Sequence, residues 1–213
     1  MKKTLLTCTV IVLLQILTTG AAASVIDCYG FKAGLNIANV RQDGDVLFSS
    51  PTKATPLFGY SVGIYAGFRL NDHLVIQPEI FTSTKGYSDK RGLSFDEFGE
   101  LRRGTITYKY YYVDFPLLLK YTYQGNAGDS QEIFLGPSVS RFLMGDQRFE
   151  ADISWIDIED DEVNQTDYGI VGGWGIEFDS FHFDGRVYYA LTENFKDSGA
   201  KNFVMSLLVG YVF

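Results

Sequence analysis

Near the end of the chain, apolar residues alternate with small or polar ones. Phe203, Met205, Leu207, Val209, Tyr211 and Phe213 fall on one face, and Asn202, Ser206 and Gly210 on the other. Successive side chains of a strand point to opposite sides, so this period of two predicts a strand with one apolar face. The same rhythm sets Phe58, Tyr60, Val62, Ile64, Ala66, Phe68 and Leu70 against Gly59, Ser61, Gly63, Gly67 and Arg69. It resumes with Leu74, Ile76 and Ile80 against Gln77 and Glu79, and the intervening Asn71-Asp72 predicts a hairpin. Carried along the chain, the pattern predicts eight strands, at about 29–39, 57–70, 73–85, 105–123, 131–144, 167–178, 181–191 and 202–213.

The connections alternate in length. Segments 40–56, 86–104, 145–166 and 192–201 are long, while 71–72, 124–130 and 179–180 are short. An even strand count with long loops at one end and short turns at the other predicts an all-β fold. Its architecture is an eight-stranded antiparallel up-and-down transmembrane β-barrel. The alternative is a soluble lipocalin-like barrel, whose water-facing side would be rich in Lys and Glu. Here the less apolar face is glycine-rich and sparsely charged, which suits a narrow lumen that must be filled and neutralised. Lys32, Arg69, Glu79, Lys120, Glu177, Asp184 and Arg186 are therefore expected to form an interior charge network with a structural role. Tyr108, Tyr110, Tyr111, Tyr112, Phe115, Tyr121 and Tyr123 bracket Leu117–Leu119, as interfacial aromatic girdles would, although a soluble aromatic core would give the same bracket. Pro78, Pro116 and Pro137 fall inside predicted strands, where bulges or distortions near the turn end are expected to accommodate the missing N–H.

The N-terminus has a different character. Lys2 and Lys3 precede an apolar stretch from Leu5 to Leu17 and a small-residue run, Ala21-Ala22-Ala23. This predicts a signal peptide over residues 1–23, cleaved after Ala23, and a barrel domain over 24–213. The apolar stretch is shorter than the roughly 20 residues that a spanning helix needs. Cleavage would leave Cys28 as the sole cysteine, with no intramolecular disulfide. Cys28 also lies too far from the small-residue site to be a lipoprotein cysteine.

Composition narrows the function classes. With 46% hydrophobic and 21% charged residues the chain is not disordered, and 22 glycines beside 14 tyrosines and 17 phenylalanines argue against an all-helical fold. The formal charge of −8, more negative still without Lys2 and Lys3, excludes nucleic acid as a partner. His73 and His182, the two histidines, flank short turns and read as solvated, and no nucleophile–base pair can be assigned from spacing. Asp96-Glu97 and Glu159-Asp160 lie in loops without a fixed scaffold, so no catalytic residue, cofactor or metal is assigned. Asp146, Glu150, Asp152, Asp157, Glu159, Asp160, Asp161 and Glu162 crowd the third long loop. Their spacing lacks the order of an EF-hand, so the reading is a solvated acidic loop, with Ca²⁺, Mg²⁺ or cation bridging to lipopolysaccharide as the alternative. Ile153, Trp155, Ile156 and Ile158 would pack that loop down or meet a partner. The second long loop, with Lys85, Lys90, Arg91, Arg102 and Arg103, is basic and would face lipid phosphates or the acidic loop.

Several motifs carry a resemblance. Gly30-Phe31-Lys32-Ala33-Gly34-Leu35-Asn36, Gln77-Pro78-Glu79, Val113-Asp114-Phe115-Pro116-Leu117-Leu118-Leu119-Lys120-Tyr121 and Gly136-Pro137 resemble, in order and spacing, the porin-family (PorT-like) outer-membrane β-barrel domain, with a barrel of the OmpX/OmpA kind. The terminal Met205, Leu207, Val209, Tyr211 and Phe213 resemble the strand signal read by the barrel-assembly machinery. The resemblance, which spans residues 29–213, implies an outer-membrane protein in contact with outer-membrane lipid and lipopolysaccharide. The implied role is structural or surface-interacting, with loops 40–56, 86–104 and 145–166 offered to an extracellular partner. A small-solute channel or secretion-associated factor is the alternative, and a lipid-active enzyme the third.

Overall fold

The computed structural model describes residues 26–42, 54–95, 101–125, 129–149, 156–157, 163–194 and 199–213. The proposed signal peptide and most of the acidic segment lie outside them. The strands are β1 (Ile26–Gln42), β2 (Ala54–Arg69), β3 (Leu74–Phe95), β4 (Leu101–Gln124), β5 (Ser130–Phe149), β6 (Ile156–Asp157), β7 (Thr166–Phe178), β8 (Phe181–Glu193) and β9 (Ala200–Val212). All pairings are antiparallel. The eight long strands form a ring in chain order, closed where β9 pairs with β1 from Gly30↔Val212 to Gln42↔Ala200. The two-residue β6 adds to β5 through Asp146↔Asp157 and Gln147↔Ile156.

Alternation decides which side chains meet lipid. Leu35, Phe58, Leu207 and Ile64 project from the outer face, whereas Lys32, Asn36 and Gln77 are fully buried in the lumen. Met205, Leu207, Val209 and Tyr211 stand on the outer face of β9, and Phe213, just past its end, is exposed beside them. Inside, the glycines face rings. Phe81 lies against Gly63, Phe134 against Gly173, Tyr188 against Gly169 and Tyr65 against Gly30, each so close that a Cβ on the glycine would collide. A narrow barrel thus fills its lumen by setting aromatic side chains beside positions that have none.

Three features differ from the sequence pattern. First, β3 and β4 stay paired as far as Phe95↔Leu101, so most of 86–104 is a hairpin rather than a loop, and β5 runs on to Phe149. The ladder outlasts the apolar alternation because a strand above the lipid belt no longer needs an apolar face. Second, Pro78, Pro116 and Pro137 cause no register shift. The shifts lie at Ile26/Cys28, Pro56/Ser61, Asp89/Gly92, Tyr111/Tyr112 and Tyr189/Glu193. Pro78 and Pro137 instead direct their rings outward, into the apolar belt. Third, the first hairpin turns over Leu70–His73, where the Asn71 carboxamide oxygen accepts from the backbone N–H of His73 and of Leu74, both at 2.9 Å. The turn at Asp179-Ser180 is as short as expected, with Asp179 in the left-handed region at φ 57°.

Candidate functional site: the barrel interior

Two layers of paired charge fill the lumen. In the layer nearer the short turns, the Arg186 guanidinium of β8 donates to Glu79 on β3 at 2.5 and 3.3 Å and to Asp184 at 2.6 and 2.9 Å. Lys32 of β1 donates to Asp184 at 2.8 Å and stands 3.5 Å from Glu79. Gln77 donates to Glu79 at 2.6 Å and accepts from Lys120 at 2.9 Å. Lys120 is also paired with Glu132, which meets the His182 imidazole at 2.6 Å. Lys32, Lys120 and Arg186 thus balance Glu79, Glu132 and Asp184. Isolated charges would be costly at this depth, and reciprocal pairing makes them tolerable. The Arg186 guanidinium is further sandwiched by Phe81 and Phe134, each ring centre 5.3 Å away.

The layer nearer the long loops is built around Lys85. Its ammonium lies 3.0 Å from Asp114 and 3.7 Å from Asp167, donates to Ser140 at 2.8 Å, and sits over the rings of Tyr112 and Tyr188. Asp167 accepts from Thr192 at 2.7 Å and from Asn202 at 3.0 Å. Tyr110, Tyr112, Phe142 and Val163 pack above, joined by Tyr87 and Tyr108. Between the layers remains a cavity of about 40 Å³, lined by Asn36, Ser61, Ser83, Ser138, Lys85 and Arg186 among others. That is room for about three water molecules.

Five of the seven residues expected inside meet in the first layer: Lys32, Glu79, Lys120, Asp184 and Arg186. Arg69 does not. Its exposed guanidinium pairs with Asp27 at 2.7 and 2.8 Å, because it is the last residue of β2 and has passed the rim. Glu177, near the end of β7, is half-buried and takes no part in these pairs. His182 corrects the sequence reading. It follows the turn by two residues, yet the strand has already begun, so its side chain points inward and is 1% exposed. His73, by contrast, is exposed beside its turn, with Nδ1 3.2 Å from the Thr122 carbonyl. Lys85, assigned to a basic loop, is buried in the second layer. Glu132 and Asp167 were missed, although both occupy inward positions of their strands. Among the described residues, no group of three or more His, Cys, Asp or Glu side chains is arranged to hold a metal ion.

A ring of antiparallel strands with its greasy face outward and its charges sealed inside is made for lipid. Residues 28–196 match the outer membrane protein beta-barrel domain family. The chain belongs to that family. Its membership places the protein in the outer membrane, and its architecture is that of small eight-stranded barrels. Similar solved structures include neisserial surface protein A, at 13% identity over 87% of this chain and 97% of that one, with a TM-score of 0.50. The outer membrane protein OprG from Pseudomonas aeruginosa is 14% identical over 89% of this chain and 97% of its own, with a TM-score of 0.46. Ail, the attachment invasion locus protein of Yersinia pestis, in complex with the heparin analogue sucrose octasulfate, is 14% identical over 87% and 98%, with a TM-score of 0.44. At these identities the likeness concerns the fold alone. No curated protein matches the chain.

Proposed function

We propose that this outer-membrane barrel is a non-enzymatic surface protein, closed to solutes, whose rigid wall presents its long loops to an extracellular partner. The observation that supports this reading is the filled lumen. Two layers of ion pairs cross it, rings occupy the space beside the glycines, and the cavity between the layers is about 40 Å³. A solute path would need those buried pairs to separate, each at a cost of several kcal/mol. Hydrolytic chemistry finds little support in the same region: the His182 imidazole is engaged with a carboxylate and sits in the wall of the closed lumen, away from the loop rim.

Single-channel recording in planar bilayers, with liposome swelling in parallel, tests the proposal. A bilayer containing the folded barrel is expected to show no steady conductance, and sugars are expected not to enter liposomes. Steady conductance would overturn the closed reading and favour the small-solute channel. Truncation confined to the loop segments 43–53 and 150–155, outside the strands, is expected to spare folding but abolish binding to cells or matrix. Unchanged binding would overturn the presentation role.

A further inference from the structure

The two charged layers of the lumen are not balanced alike. The layer nearer the turns sets Lys32, Lys120 and Arg186 against Glu79, Glu132 and Asp184. The layer nearer the loops sets the single ammonium of Lys85 between two carboxylates, Asp114 at 3.0 Å and Asp167 at 3.7 Å. The second layer is therefore one positive charge short. A carboxylate left uncompensated at this depth is costly, and it favours any small cation that can reach it. The deficit borders the cavity between the layers, because Asp114 is the one carboxylate among its lining residues.

The wall of that cavity offers oxygen lone pairs. Ser83 donates its hydroxyl proton to Asp114 at 2.5 Å, and Ser61 donates its own to the Asn36 carboxamide oxygen at 3.0 Å, so both serines keep lone pairs to spare. The cations lining the same space are committed elsewhere. Lys85 donates to Ser140 and faces the two aspartates, while Arg186 donates to Glu79 and Asp184. Ser138, 2% exposed, lines the cavity with a hydroxyl that no protein group partners. Asp114 Oδ1 likewise takes no hydrogen bond, its contact with Lys85 being electrostatic alone. Hard oxygen donors around one missing charge suit a hard cation. A divalent ion would overshoot the deficit and find a single carboxylate, whereas a volume of about 40 Å³ holds a monovalent ion with a water or two.

We infer that the cavity between the layers binds one sodium ion, held by Asp114 and the hydroxyls of Ser83 and Ser138. Bound there, the ion neutralises the second layer and ties β3, β4 and β5 together from inside. The inference shares the closed lumen with the function proposed above, but not the extracellular partner. A barrel that carries no current and ignores sodium would defeat this inference and leave that one standing.

The test is urea unfolding of the barrel in phosphatidylcholine vesicles, with sodium chloride exchanged for choline chloride at constant ionic strength. Choline is too large for the cavity. Sodium at about 100 mM is expected to raise the ratio of folded to unfolded protein about tenfold over choline, as a dissociation constant of about 10 mM requires. Asp114→Asn removes the charge deficit and is expected to abolish the sodium response. Ser138→Ala spares every ion pair and is expected to reduce the response about threefold, a result that stands alone should Asp114→Asn fail to fold. Asp27→Asn, at the exposed rim, is expected to keep it. Equal stability in sodium and choline, or a sodium response that survives both substitutions in the cavity, would overturn the assignment. A response to pH in place of sodium would also overturn it, by giving the missing charge to a proton.

Discussion

Replacing Glu79 by Gln removes one negative charge from the lumen with almost no change in volume. Three cations, Lys32, Lys120 and Arg186, then face only Glu132 and Asp184. Arg186 loses charge-assisted contacts at 2.5 and 3.3 Å, and Lys32 loses a carboxylate at 3.5 Å. Removing one partner of a buried pair costs about 3–5 kcal/mol. The amide oxygen of Gln still accepts one hydrogen bond, so the expected cost is about 3 kcal/mol, the lower end of that range. Arg186→Met should cost a similar amount by leaving Glu79 and Asp184 to share Lys32 as their one remaining cation. The double variant restores the balance of charge, so its cost should fall short of the sum by about 2 kcal/mol. Urea unfolding in lipid vesicles provides the assay, followed by the shift between boiled and unboiled gel bands and by fluorescence of the outward-facing Trp174. If the two costs add to within about 0.5 kcal/mol, the side chains act independently and the network reasoning is refuted.

Other substitutions probe the remaining parts of the wall. His182→Ala leaves Glu132 with Lys120 as its charged partner and should lower stability by about 1–3 kcal/mol in the same unfolding assay; an unchanged midpoint would show that the imidazole supports nothing. Gly173→Val drives a side chain into the Gly185 backbone carbonyl and the Phe134 ring and should cost about 1–3 kcal/mol. Phe134→Ala in the same chain should leave most of that loss in place, because the carbonyl clash persists, and full recovery would contradict the close approach of the β7 and β8 backbones at Gly173. Deleting Phe213 removes the ring stacked on Tyr29 at 5.6 Å and the backbone bond to the Tyr29 carbonyl at 2.9 Å. Unboiled samples should then migrate largely as the unfolded band, and a normal shift would show that the seam closes without it.

The wall of the barrel was legible because a period of two survives in every strand. It separated Lys32, Glu79, Asp184 and Arg186 from their lipid-facing neighbours without any knowledge of register. What the pattern does not carry is height. Arg69 and Glu177 lie near strand ends, where the inner face opens to water, and the alternation is the same there as in the middle. His182 shows the converse, since proximity to a turn suggested solvent while the strand had already carried it inside. Lys85 was hidden by its company: Lys90 and Arg91 follow in a polar stretch that reads as a loop, yet the ladder continues through it. Pairings such as Glu79 with Arg186 join strands on opposite sides of the ring, and such juxtapositions arise only from closure.

Closure has a kinetic side. Lys32 and Asp184 are 152 positions apart in the chain, and Glu79 and Arg186 are 107 apart. A growing sheet that lacks its last strands cannot satisfy these groups, and each charge left facing hydrocarbon is a heavy penalty. Contacts of such long range also form slowly, because chain entropy must be lost before they contribute. Half-built sheets are therefore poor stopping points in lipid. Joining β9 to β1 and pairing the interior charges become one event, and a growing sheet must be kept from hydrocarbon until its first and last strands meet.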